Sequence, residues 1–301
     1  MISNYFAAAL LNHFMNANAM PNIPTLYIGI CSGIPSGEGV YAEVSTSVWT
    51  NYKRAGVARS TVGFPLVTTG RVISNAADIG NGTAGSLNSF LSTGTGATLS
   101  GTSSLTLNAI DVWDAATAGN RLFQLAFSPL NGATSRALAN NGVFYIAAGK
   151  FQASFTSSVM TDFEARNYLN VAFNGMGFTR GYYEIGLLTD LAGTEVTTTQ
   201  WTNYKRARLT RNSTNFPVVT GNTLTNGVII GNGAVGTDNC FLSSGTSISV
   251  PSSLAVKGDG IYDHQNVLCW AVPCSTPDGN FVLTNGASIS EAVGSMALMI
   301  S

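Results

Sequence analysis

Apolar residues near the start of the chain recur at helical spacing. Tyr5, Ala9 and His13 make one row and Phe6, Leu10 and Phe14 the next, so residues 3–16 are predicted to form a helix capped by Ser3 or Asn4. The pattern returns at 161–174, where Phe163, Leu169 and Asn170 fall where Tyr5, Leu11 and Asn12 do. There Thr161 and Glu164 have the spacing of a capping box. After each helix the period changes to that of strands: Leu26-Tyr27-Ile28-Gly29-Ile30 and Tyr183-Glu184-Ile185-Gly186-Leu187 are aromatic- and β-branched-rich runs followed by polar turn residues. Later strands are expected at Leu122 to Phe127 and Val267 to Val272, and a last long one at Phe144 to Phe155 and Ile289 to Ile300.

These parallels belong to an internal repeat. Trp49-Thr50-Asn51-Tyr52-Lys53-Arg54 recurs without change as Trp201-Thr202-Asn203-Tyr204-Lys205-Arg206, and matched residues continue on both sides. Phe64-Pro65 answers Phe216-Pro217, Ile79-Gly80-Asn81-Gly82 answers Ile230-Gly231-Asn232-Gly233, and Asp114 answers Asp263. A Gly/Ser/Pro loop from Ser32 to Gly39 is shortened in the second copy to Thr189–Gly193. The boundary falls near residue 156, giving units 1–156 and 157–301, each long enough to bury a core of its own. Many short strands with turn signals between them, and no alternating βα units, predict an all-β protein: two tandem jelly-roll-like β-sandwich domains, each with a short N-terminal helix.

On a strand, the hexapeptide would place Trp49, Asn51 and Lys53 on one face and Thr50, Tyr52 and Arg54 on the other. An inward Tyr-x-Arg pair needs an acceptor, because a guanidinium stays charged and is costly to bury alone. Glu43 and Glu195, six residues upstream of each copy, are the candidates.

Charged residues are only 10% of the 301, with a net charge of −1, so no long-range field gathers nucleic acid or an anionic membrane. No apolar run approaches a bilayer span of about 18–20 residues. The N-terminus lacks a basic region ahead of its apolar stretch, so a signal peptide is not expected, and synthesis in a host cytoplasm is. The four cysteines, Cys31, Cys240, Cys269 and Cys274, form no regular framework and read as free thiols.

Candidate chemistry is sparse. His13 and His264 are the only histidines; the first reads as a packed helix residue, and Asp263-His264 comes without a nucleophile elbow. His264, Cys269 and Cys274 have unusual spacing for a metal, and Cys269 lies in an apolar strand, aligned with Gln124 of the first copy, while Cys240 aligns with Ser89. The glycine-rich runs at 80–85 and 231–236 lack a phosphate-loop lysine and read as turns. Arg59, Arg211 and Arg208 read as solvated or interface charges. Asp111, Asp114, Asp259 and Asp263 are read as loop residues and turn formers. No catalytic, cofactor or metal site is assigned.

A helix opening S/T-N/D, L-Y-I-G-I, a polar loop, E-V, an aromatic block ending Y-x-R, F-P, a late aspartate and a final G-K-F strand together resemble small structural proteins of tailed bacteriophages, of the tail-fibre-like or minor virion kind. The resemblance covers nearly all of the first copy. It implies structural roles for Glu43, Val44, Tyr52 and Arg54, and for Glu195, Val196, Tyr204 and Arg206, with Trp49 and Trp201 completing the signature. The expectation is a non-enzymatic virion protein, foremost a capsid decoration or cement protein that contacts the major capsid protein or other virion proteins as a homo-oligomer. The alternative is a tail or fibre adhesin that stacks host glycans on Trp113 or Trp270, which have no match in the other copy. A glycan-cleaving enzyme is the third.

Overall fold

A computed structural model describes residues 1–33, 43–127, 135–155, 159–245, 253–274 and 279–300. The domain boundary near 156 and most of the Ser32–Gly39 loop lie outside them. The chain is mostly β with two helices, in keeping with the all-β, two-unit expectation. Its first unit holds α1 (Asn4–Asn16), β1 (Thr25–Cys31), β2 (Ala55–Ala58), β3 (Val72–Ser74), β4 (Ser104–Leu107), β5 (Ala109–Trp113), β6 (Arg121–Ala126), β7 (Arg136–Ala139) and β8 (Gln152–Ser154). The second holds α2 (Asp162–Asn174), β9 (Tyr182–Leu188), β10 (Ala207–Thr210), β11 (Thr223–Thr225), β12 (Ser253–Val256), β13 (Gly258–Tyr262), β14 (Leu268–Pro273), β15 (Phe281–Thr284) and β16 (Ala297–Met299).

Strand pairing is the same in both. An antiparallel sheet runs β2-β1-β5-β6 in one unit and β10-β9-β13-β14 in the other; β3 pairs β8 as β11 pairs β16, and β4 pairs β7 as β12 pairs β15. Even the irregularities repeat, with a register shift at Val112/Trp113 and another at Ile261/Tyr262. The outer edge of β6 is paired by the residues just ahead of α1, Gln124 N donating to Met1 O and Ser3 N to Leu122 O. Ala271 N to Val159 O and Thr161 N to Cys269 O do the same for β14. A sheet edge that would otherwise offer itself to another chain is thereby closed.

The helices start as the sequence predicts. Ser3 Oγ accepts from Phe6 N at 3.2 Å and Thr161 Oγ1 from Glu164 N at 3.4 Å. Only half of the capping box forms: Thr161 N is committed to Cys269 O, and Glu164, wholly buried, turns to Arg180 at 2.8 Å. The last strands are shorter than predicted. Only Gln152–Ser154 and Ala297–Met299 form strands, with single bridges at Ile146 and Glu291, because Gly149 and Gly294, both at positive φ, turn the backbone just before them.

The expectation of two separate cores is corrected. One continuous hydrophobic cluster runs through both units. α1 packs on its own β6 and on β11 of the other unit, and α2 packs on β14 and on β3 and β8. Phe14 stacks on Tyr168 at 3.7 Å, and Phe173 sits against Phe64, Phe123 and Phe151. A 13-residue helix with apolar residues on most of its surface needs two walls, and its own sheet supplies one.

Candidate functional site

The hexapeptide is a turn rather than a strand, closed by Trp49 N to Ser45 O and Tyr52 N to Trp49 O, with Trp201 N to Thr197 O and Tyr204 N to Trp201 O in the second unit. Strict alternation therefore fails. Trp49 and Tyr52 both point inward, their ring centroids 5.1 Å apart, and Trp201 and Tyr204 are 5.3 Å apart. Trp49 Nε1 donates to Asn51 Oδ1 at 2.9 Å, and Asn51 Nδ2 donates to Thr93 O and Gly96 O. Trp201 Nε1 and Asn203 Oδ1 repeat the first of these bonds at 2.7 Å, and Asn203 Nδ2 donates to Ser244 O. Each turn thus ties a buried indole to a distant loop.

The structure brings Glu43, Tyr52 and Arg54 together. Tyr52 OH accepts from Ile30 N at 2.9 Å and donates to Glu43 Oε1 at 2.8 Å. Arg54 grips the same carboxylate with Nε at 2.9 Å from Oε1 and Nη2 at 2.7 Å from Oε2. Glu195, Tyr204 and Arg206 reproduce all four bonds, at 2.8 Å from Leu187 N to Tyr204 OH, 2.8 Å to Glu195 Oε1, and 2.9 and 2.7 Å from the guanidinium. Burial first, and the adjacent carboxylate second, hold both phenols well above the usual tyrosine range. They remain neutral donors.

An aromatic ring covers the far face of each guanidinium, Trp113 at 3.8 Å from Arg54 and Tyr262 at 3.5 Å from Arg206. The remaining Arg54 donors go to Ala115 O and Ala118 O; those of Arg206 go to Asn266 Oδ1 and Glu184. Beneath the carboxylates lie Gly29 and Gly186, which the sequence reading passed over as ordinary strand residues. Their signal was the shared I-G-I/L core of the two first strands.

Several sequence assignments change. Asp111 and Asp259 are buried mid-strand residues of β5 and β13, not loop residues. Asp111 accepts from Gln124 Nε2 at 3.1 Å and faces Arg121 at 4.0 Å, and burial raises its pKa. Asp114 and Asp263 do form turns, accepting from Asn120 N and from Val267 N. Strand register sets Cys269 against Leu122, and Gln124 against Ala271. The tryptophans also have counterparts: Trp113 occupies the position of Tyr262, and Trp270 that of Phe123. Both are buried, so neither is free to stack on a sugar. Cys269 Sγ sits 3.2 Å from Arg180 Nη1, and burial raises its thiol pKa. His264 is exposed, and His13 Nδ1 lies 2.8 Å from Asn18 O.

The buried network of Arg180 with Glu164 and Asp263, at 2.8 and 3.5 Å, belongs to the second unit alone and was missed. Phe6 stands where Glu164 does, so no pairwise match in the sequence marked it. Arg59 and Arg211 lie outside the motif, at the joint between the units. Among the described residues no group of three or more His, Cys, Asp or Glu side chains is placed to hold a metal, and no helix is long and apolar enough to cross a membrane.

The repeated motif is directed into the protein's own interior, as in a structural protein of β-rich units. Residues 1–154 match the family described as podophage GP4 fiber I protein gp80, just over half of the chain. The protein belongs to this family of phage fibre-type virion proteins. No curated protein matches it.

Proposed function

We propose that the protein is a non-enzymatic structural component of a podophage virion, placed in the fibre apparatus and held there by contacts with other virion proteins. One observation carries this reading: the fibre-family match spans the first unit, whose signature residues Glu43, Tyr52 and Arg54 are satisfied by one another. The fibre position now stands ahead of capsid decoration. Decoration retains one argument, since two units of one fold present two similar outer surfaces suited to neighbouring sites on a lattice of major capsid protein. Host-glycan binding through Trp113 or Trp270 is set aside with their burial.

Copy number in purified virions separates the two positions. Quantitative mass spectrometry against the major capsid protein should find a small, fibre-like number of copies, with antibody label at the tail. Hundreds of copies with label over the head would transfer the assignment to decoration. For the absence of catalysis, Asp114→Asn and Asp263→Asn should leave any glycan-cleaving activity of virions unchanged. A loss of such activity would reopen the enzyme reading.

A further inference from the structure

Two sets of contacts that join the two units come in exchanged pairs, beside one-sided ones such as Arg71 of the first unit on Asp162 and Met160 O of the second. Arg59 of the first unit caps the helix of the second, Nε donating to Ala172 O at 2.7 Å and Nη2 to Val171 O at 2.5 Å. Arg211 of the second unit caps the helix of the first, Nε donating to Phe14 O and Nη2 to His13 O. Arg59 and Arg211 are equivalent in the repeat, as are Ala172 and Phe14, and Val171 and His13. The third donor follows suit, Arg59 Nη1 reaching Ile23 O at 3.4 Å and Arg211 Nη1 reaching Arg180 O.

A second exchanged pair uses asparagine. Asn12 Nδ2 donates to Val219 O at 2.8 Å while its Oδ1 accepts from Val219 N at 3.0 Å. Asn170 does the same to Val67, at 3.1 and 2.9 Å. Asn12 matches Asn170, and Val67 matches Val219. Residue i of one unit touching j of the other, and j touching i, defines an isologous two-fold interface, which normally joins identical subunits.

We infer that this joint is a self-complementary dimer interface enclosed in one chain, and that its natural partner surface is a second copy of the same unit. The first unit carries both halves of each paired contact: an arginine and helix-end carbonyls, an asparagine and a valine backbone. Its helix meets the seam with Leu10 and Phe14, where the second unit has Tyr168 and Ala172, so pairing two first units would place Phe14 against Leu10 twice. The aromatic packing of Phe14 on Tyr168 and Phe178 would thus give way to aliphatic contact. The network of Glu164, Arg180 and Asp263, which the first unit lacks, is internal to the second unit and not part of the seam. The inference does not depend on where in the virion the protein sits.

The test begins with the full chain carrying a protease site between residues 155 and 159. After cleavage of the folded protein, the fragments should remain together in size-exclusion chromatography and native mass spectrometry. Arg59→Ala and Arg211→Ala should each weaken their association by at least about tenfold, and to a similar extent, since each removes charge-assisted bonds to helix-end carbonyls. Fragments that separate as folded monomers, or one arginine that matters while the other does not, would overturn the inference. A chain with residues 159–301 replaced by a second copy of residues 1–155 supplies an independent check. It should fold and melt cooperatively as a monomer, and a chain that fails to fold would count against self-complementarity.

Discussion

Gly29 and Glu43 stand so close that a Cβ on the glycine would lie 2.6 Å from Glu43 Oε1; in the second unit Gly186 would place one 2.5 Å from Glu195 Oε1. Each carboxylate is held at once by a phenol and a guanidinium and has no room to retreat. Gly29→Ala and Gly186→Ala should each lower stability by roughly 1–3 kcal/mol, the usual cost of overpacking. Urea denaturation should show both effects. A neutral result for either would mean that the carboxylate can move aside.

Removing the carboxylates should have unequal effects. Glu43→Ala strands Arg54, whose side chain is 8% exposed, whereas Arg206 is 18% exposed and keeps Glu184 at 3.5 Å. Loss of one partner from a buried pair costs about 3–5 kcal/mol, so Glu43→Ala should approach that range and Glu195→Ala should fall clearly below it. Thermal melts of the two variants side by side give the comparison; equal losses would contradict it.

The second unit contains a carboxylate that weakens it at neutral pH. Asp259 is buried, its Oδ1 without a hydrogen-bond partner among the described residues, and burial first, then Glu291, raise its pKa well above 3.8. In the fold the protonated form is favoured, so this group's contribution to stability is fully present below pH 3.8 and is lost as pH rises through the native pKa. Asp259→Asn should therefore raise the melting midpoint at pH 7 and change it little at pH 3.5. A midpoint that drops at pH 7 would show that the charged carboxylate has a favourable partner.

His13 predicts the opposite slope. Burial, followed by the charges of Arg211 and Arg59, lowers its pKa below 6.5, against an opposing bond to Asn18 O. The fold favours neutral imidazole, so this contribution is present above pH 6.5 and is lost as pH falls through the native value. His13→Val, the residue at the matching position in α2, should flatten the fall in stability between pH 7 and 5. Parallel pH profiles for the variant and the parent would refute the assignment.

How much was legible follows from the range of each interaction. The helices, their Ser3 and Thr161 caps, and the first strands were readable because periodicity and capping act over a few residues. The hexapeptide's identity was readable but its shape was not. Alternation assumes an extended backbone, and the bridges of Trp49 to Leu99 and Tyr52 to Leu91 that hold the turn come from 39 or more residues away. Asp111 and Asp259 were misplaced because an acidic residue usually marks a turn, as beside Gly258 and Gly260, and only the sheet places both within buried strands.

By itself the sequence determined that there are two units of one pattern, that each carries a Glu, Tyr and Arg whose chemistry requires mutual pairing, and that little charge is left for steering. Tertiary structure alone decided where the helices go. Arg211 and Phe14 are 197 residues apart, and an arginine that caps a distant helix has the same local sequence as one in solvent. The choice between capping its own unit's helix and the other's depends on which apolar wall each helix meets. That is settled only when both units pack around a single core.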